Sequence, residues 1–200
     1  METLTSTSRQ ALERMPTTFT YSQARSLGIS DWTLSKLRDL NEIESLGRGL
    51  YKRTDSGSED PFLLAAATRS PRATLCLRTA LARHDLTDDI PTQLDIALPR
   101  GTRIPALDGP YSWHHFAAET FNLGREEIKL DGGLALGLYS AERSILDAFR
   151  LRGLEGPELA NEALRRWLRR PNSHPQKLLE LARHLPRSQP SLLRSLQILL

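Results

Sequence analysis

Along the first 55 positions the apolar residues recur mostly at helical spacing. Ala11, Leu12 and Met15 share one side of a turn, and Pro16 ends that pattern because its ring supplies no N–H and crowds the residue before it. In "TYSQARSLG", Thr20 is an N-cap candidate, Ala24 and Leu27 form an i, i+3 seam, and Gly28 suits the left-handed residue that closes a helix. "ISDWTLSKLRDLNEI" follows after a short turn, with Ser30 or Asp31 as cap and Leu34, Leu37 and Leu40 stepping by three. Two short helices about a glycine turn predict a helix-turn-helix. With Leu34 set at zero and about 100° per residue, Thr33, Leu37 and Leu40 fall on the packing flank. Trp32, Ser35, Lys36 and Asp39 fall on the opposite face. Trp32 then has two readings, a side chain presented to DNA from the first turn of a recognition helix, or a staple folded back under a neighbouring helix.

The pattern next shortens. In "EIESLGRGLYKR", Ile43, Ser45 and the stretch from Leu50 to Lys52 predict two strands, with Gly47 and Gly49 permitting the positive φ of a hairpin tip. A hairpin directly after a recognition helix is a wing, with Arg48 at its tip and Lys52 and Arg53 on the returning strand. An ordinary hairpin with solvated charges is the plainer reading. "TDSGSEDP", Thr54 to Pro61, interrupts the apolar pattern and divides the chain into a winged helix-turn-helix over 1–55 and an α+β domain over 60–200.

In that second domain Asp60 and Pro61 open a helix at "PFLLAAATR". "ATLCL", "TQLDIALP", "YSWHHF", "EEIKLD" and "LALGLY" predict strands of a small sheet, with a short helix at "TALARHDL" and a hairpin turn at "DGG", Asp131 to Gly133. "SAERSILDAFRLRG" opens on Ser140 as cap, and "PELANEALRRWLRRP" and "HPQKLLELARHLP" are amphipathic. The leucine-rich end "SLLRSLQILL" adds a last packed helix, so a helical layer covers the sheet.

Composition narrows the classes. With 39% hydrophobic and 26% charged residues the chain has the make-up of a soluble globular protein. Its formal charge of +3 is spread unevenly: eight basic against seven acidic residues in 1–55, eight against eleven in 56–139, and eleven against six in 140–200. The single Cys76 excludes an internal disulfide and a thiolate-clustered metal site, and predicts a buried thiol in a reducing compartment. No basic segment leads into an apolar stretch, and no apolar run reaches the ~18 residues of a membrane span, so a cytoplasmic protein away from membranes is expected.

The run "FTYSQARSLGISDWTLSKLRDLNEIESLGRGLYKR" resembles the amino-terminal winged helix of the AbiEi-type antitoxins of bacterial toxin–antitoxin systems. "ATLCLRTALARHDLTDDIP" with "ALPRGTR" is similar to that family's central segment. "YSAERSILDAFRLRG" is similar to its Ser-Pro-Glu-Arg-Thr-x-x-Asp helix start, with Ala141 in place of the proline and Ser144 in place of the threonine. The resemblance spans roughly residues 10–170. It implies an antitoxin that neutralises a nucleotidyltransferase-type toxin and represses its own operon by binding double-stranded promoter DNA. Direct contact, removal of the toxin's product and modification of the toxin all remain open. By position, Trp32, Ser35 and Lys36 would read the major groove and Arg48, Lys52 and Arg53 would serve the wing. Repressors of this size read paired half-sites, so a homodimer or two cooperating monomers is expected. No catalytic residue, cofactor or metal is implied.

Other constellations are weaker. Arg165, Arg166 and Arg169 lie on one broad side of a helix and fit a partner surface, DNA phosphates or plain solvent. His84 falls near a helix end, where a cation complements the dipole. His114 and His115 alternate across a strand and do not share a metal. Glu127-Ile128-Lys129, with Asp95 or Asp108 upstream, is the pattern of a metal-dependent nuclease. A transcription factor without a toxin, its second domain sensing a ligand or dimerising, is the chief alternative.

Overall fold

A computed structural model describes residues 6–55, 60–151, 153 and 157–199. The fold is mixed α and β with two separate sheets. The chain divides into two compact units, one of Met1–Pro71, Pro105–Gly109 and Lys129–Leu136, the other of Arg72–Ile104, Pro110–Ile128 and Gly137–Leu200. The boundary expected at Thr54 to Pro61 runs through residues 56–59, outside the described residues. The helix that follows, α4 (Pro61–Arg69), packs on strands of the first unit, so that unit extends beyond residue 55.

In the first unit the order is α1 (Ser6–Glu13), β1 (Thr18–Thr20), α2 (Tyr21–Ser26), α3 (Asp31–Asp39), β2 (Ile43–Gly47), β3 (Leu50–Arg53) and α4. β3 lies between β1 and β2 and is antiparallel to both, with Phe19 opposite Tyr51 and Glu44 opposite Lys52. β1 escapes a periodicity search because three residues are too short to show alternation. Each turn has its own cause. The Thr20 hydroxyl accepts from Gln23 N at 3.3 Å while Thr20 N donates to Gln23 Oε1 at 2.7 Å, a reciprocal capping box. Ser30, rather than Asp31, caps α3 by accepting from Thr33 N at 3.1 Å. α3 ends on Asn41 at φ 55, where Glu42 N returns to Leu37 O and Asn41 N to Arg38 O, the Schellman pattern. Phe19, Ile29, Leu34, Leu37 and Ile43 fill the core with Ala24. Leu27 and Leu40, expected in the seam, are exposed, because each sits at the fraying end of its helix beyond the last core contact.

The second unit carries a five-stranded sheet in the order β6-β5-β4-β8-β7. Its strands are β4 (Thr74–Leu75), β5 (Leu94–Pro99), β6 (Tyr111–Phe116), β7 (Arg125–Lys129) and β8 (Ala135–Tyr139). β5 runs parallel to β6 and antiparallel to β4, and β4 parallel to β8. The "ATLCL" strand is two residues long, since Cys76 is already the cap of α5 (Leu77–Arg83). Cys76 is buried, and that burial pushes its thiol well above the ordinary range. A short α6 (Ala118–Phe121), not expected from the pattern, follows β6. α7 (Ala141–Arg150), α8 (Pro157–Leu168), α9 (Pro175–Arg183) and α10 (Gln189–Leu199) form the helical layer around Ile145, Leu146, Phe149, Leu164, Trp167 and Leu178.

A buried charge cluster joins sheet to helices. Arg143, 1% exposed, donates from Nε to Asp147 Oδ2 at 2.8 Å and from Nη1 to the carbonyls of Thr120 and Leu123 at 2.6 Å each. Arg150 donates from Nε to the other Asp147 oxygen at 3.1 Å. The Arg143 guanidinium lies 4.4 Å from the Tyr139 ring centre, and that of Arg150 lies 4.6 Å from Phe116. Gly124, at φ +65, passes so close that a Cβ there would sit 2.8 Å from Arg143 Cβ. Removing one partner of a buried ion pair strands the other charge. Asp147→Ala is expected to lower unfolding stability by about 3–5 kcal/mol in chemical denaturation, whereas Arg9→Ala, which loses only the exposed 3.7 Å pair with Glu42, changes it by less than about 1 kcal/mol.

Candidate nucleic-acid interface

α3 is a capped helix with one side committed to the core. Thr33, Leu34 and Leu37 are buried, which turns Ser35 and Asp39 outward, leaves Lys36 half-exposed, and leaves Trp32 57% exposed in the first turn. Trp32 is therefore not a staple under a neighbouring helix. The hairpin of β2 and β3 turns through Arg48 and Gly49, with the Arg48 side chain exposed and Gly49 at φ 65.

Tyr21, which sequence reasoning did not single out, fixes the helix and the hairpin relative to each other. Its backbone N–H donates to Gly49 O at 2.9 Å, and its hydroxyl donates to Asp31 Oδ1 at 2.7 Å in the first turn of α3. That carboxylate holds the phenol proton and raises the Tyr21 pKa above its ordinary value. On the other side of the turn the Arg69 guanidinium donates to the Arg48 carbonyl. The hairpin tip is thus held by backbone groups while the Arg48 side chain is left outward. No periodic signal marks Tyr21, because its role lies in one backbone and one side-chain bond to distant segments.

Not all the predicted cations face the same way. Arg53 turns inward: its Nη1 reaches the carbonyls of Leu12, Glu13 and Met15 at 3.3–3.4 Å, and the rest of its guanidinium pairs with Asp55. That pairing holds the Asp55 carboxyl below the usual range and raises Arg53. Arg53 thereby ties the end of α1 to β3. Lys52 is half-buried and stands across the ladder from Glu44. Arg38, placed by helical phase only about 40° from Leu34, is exposed, because the last turn of α3 extends past the core. It lines a surface groove together with Glu44, Ser45, Arg48 and Phe62. The outward cations of this surface are therefore Lys36, Arg38, Arg48 and Lys52, interspersed with Asp31, Asp39 and Glu44.

In the second unit the proposed partner-binding cations also divide. Arg165 and Arg169 are exposed, whereas Arg166 pairs with Asp88 and, at 2.7 Å, with Glu162. Arg166 holds Asp88 below the usual carboxylate range, and the pair fastens the segment after α5 to α8. His84 Nε2 lies 2.7 Å from the Tyr139 carbonyl at the end of α5, a structural bond. His114 Nε2 meets Asp95 Oδ1 at 2.8 Å while His115 Nε2 meets the Thr102 carbonyl at 2.8 Å, so the two imidazoles diverge. The nuclease pattern is not assembled around Asp95. β4 and β8 separate its strand from that of Glu127, a gap of ~14 Å at the usual strand spacing, and Glu127 sits 3.4 Å from Arg125. Among the described residues no three of the His, Cys, Asp and Glu side chains gather to hold a metal. No helix among them is long and apolar enough to cross a membrane.

No protein-family pattern matches the chain, and a search of curated proteins finds no match.

Arg53 and Arg48 are separable by stability. Arg53→Ala is expected to cost the fold about 1–2 kcal/mol, read by denaturant titration, whereas Arg48→Ala should leave the midpoint within about 0.5 kcal/mol.

Proposed function

We propose that the first unit is a winged-helix module that binds duplex DNA, and that the protein is an autorepressing antitoxin. In this reading α3 enters the major groove, Trp32, Ser35 and Lys36 meet base edges, and the β2–β3 hairpin is a wing whose Arg48 reaches a phosphate or the minor groove. Arg38 and Lys52 add phosphate contacts. The observation that carries the reading is the pairing of an exposed Trp32 in the first turn of α3 with an exposed Arg48 at a turn, both ordered through Tyr21. An indole left in water forgoes about 1.5–3 kcal/mol of burial, and an exposed cation on a hairpin that Tyr21 ties to the same helix supports a groove-binding surface.

The antitoxin half rests on the likeness of residues 10–170 to the AbiEi-type antitoxins. The toxin partner is a nucleotidyltransferase, met by the second unit with Arg165 and Arg169 as contacts, in the cytoplasm of a bacterium. Dimerisation would supply the second half-site.

The test is a gel-shift titration of the full chain on duplex DNA from upstream of its own reading frame, against a scrambled duplex, over a range of salt. Three phosphate-contacting cations, Arg38, Arg48 and Lys52, give a log–log salt slope of about −3, and Arg48→Ala reduces its magnitude by about one. Equal affinity for the two duplexes would overturn the repressor, and a slope that Arg48→Ala leaves unchanged would overturn the wing. Co-expression with the adjacent gene product, scored for growth, decides the antitoxin half separately.

A further inference from the structure

The second unit contains a strongly basic cavity that the DNA and toxin readings leave unused. It has a volume of about 250 Å³ and is walled by Arg100 after β5, His115 and Phe116 at the end of β6, Arg143 and Arg150 of α7, and the turn after α9 that carries Arg187. His184, at the end of α9, also lines it, and among the described residues no Asp or Glu does. Behind the wall lies a single carboxylate, Asp147, shared by Arg143 and Arg150. Arg100 and Arg187 are exposed and form no ion pair among the described residues. Among the described residues four guanidinium groups therefore face one carboxylate.

Arg150 Nη2 is fully covered, lies 3.0 Å from Asp147 Oδ1, and has no acceptor in hydrogen-bonding geometry among the described residues. That atom faces the carboxylate and not the cavity, so Asp147 is spent within the cluster. The carbonyl end of α9 opposes an anion with roughly half a negative charge, less than the excess of the arginines.

We propose that this cavity binds a small phosphate-bearing anion. Planar guanidinium forks match tetrahedral oxyanions, and the exposed Arg100 and Arg187 can close on one at the mouth of the cavity. The volume lies below the roughly 300–1,000 Å³ of ordinary ligand pockets, which suits a free phosphate or a small phosphate ester and leaves no room for a nucleic-acid strand or a folded peptide. None of these residues belongs to the first unit's interface, so the two proposals stand or fall independently.

The test uses the full-length protein and inorganic phosphate, followed by calorimetry and thermal unfolding against sodium chloride at matched ionic strength. Phosphate is expected to raise the unfolding temperature where chloride does not, and its Kd should rise at least tenfold in Arg100→Ala/Arg187→Ala. Both of those side chains lie at the exposed mouth and outside the buried ion cluster, so this variant keeps the fold. Arg150→Gln should weaken binding as much if it folds, and the double variant decides alone if it does not. Ethyl phosphate binding more tightly than phosphate assigns the site to an ester, and the reverse to the free ion. A phosphate effect no larger than that of chloride, unchanged binding in the double variant, or a preference for hexaglutamate over phosphate would each overturn the proposal.

Discussion

The second unit is organised around one buried carboxylate. Asp147 is inaccessible to solvent, and its two oxygens are divided between Arg143 and Arg150. An ionised group there is tolerable only if opposite charge and hydrogen bonds compensate its loss of water. That requirement propagates outward. Arg143 draws in the carbonyls of Thr120 and Leu123, which fixes the short α6 and the turn after it. The same turn needs Gly124, because any Cβ would strike Arg143. Phe116 and Tyr139 stack at 5.6 Å under the two guanidinium groups and tie β6 and β8 into the cluster.

The first unit has no such charge at its centre. Its core is a small apolar cluster, and precision comes from hydrogen bonds at chain turns: Thr20 with Gln23, Ser30 with Thr33, and the Schellman bonds around Asn41. Tyr21 links these local devices into one surface by bonding Gly49 and Asp31 at once. A binding surface of this size gains affinity when its elements are fixed before the ligand arrives, since ordering them on contact would cost several rotamers' worth of entropy.

Caps and periodic faces were legible in the residues because their causes are local. Thr20, Gly28 and Ser140 each do what their chemistry announces, and Leu34 and Leu37 face inward as their spacing requires. Long-range bonds were not legible. Arg53 and Arg166 are indistinguishable in sequence from any surface cation, and only the fold brings the Leu12 carbonyl or Asp88 beside them. Tyr21 and the arginines of the basic cavity were missed for the same reason, since Arg100, Arg143, Arg150 and Arg187 lie far apart along the chain. In the "SAERSILD" segment, the residues that carry the likeness to a family, Ser140, Arg143 and Asp147, prove to be the helix cap and the buried pair. That stretch of the resemblance therefore speaks to how the second unit is held together.

The central claim is that the outer face of α3 meets DNA, and the three tryptophans offer a direct reading of it. Trp167 is buried in the helical layer, Trp113 is half-buried on β6, and Trp32 alone of the three stands largely in solvent on α3. In a nitrogen-15 spectrum of the indole N–H groups, adding duplex DNA from upstream of the reading frame is predicted to shift or broaden the Trp32 signal and leave that of Trp167 in place. A Trp32 indole unmoved by saturating promoter DNA would contradict the account.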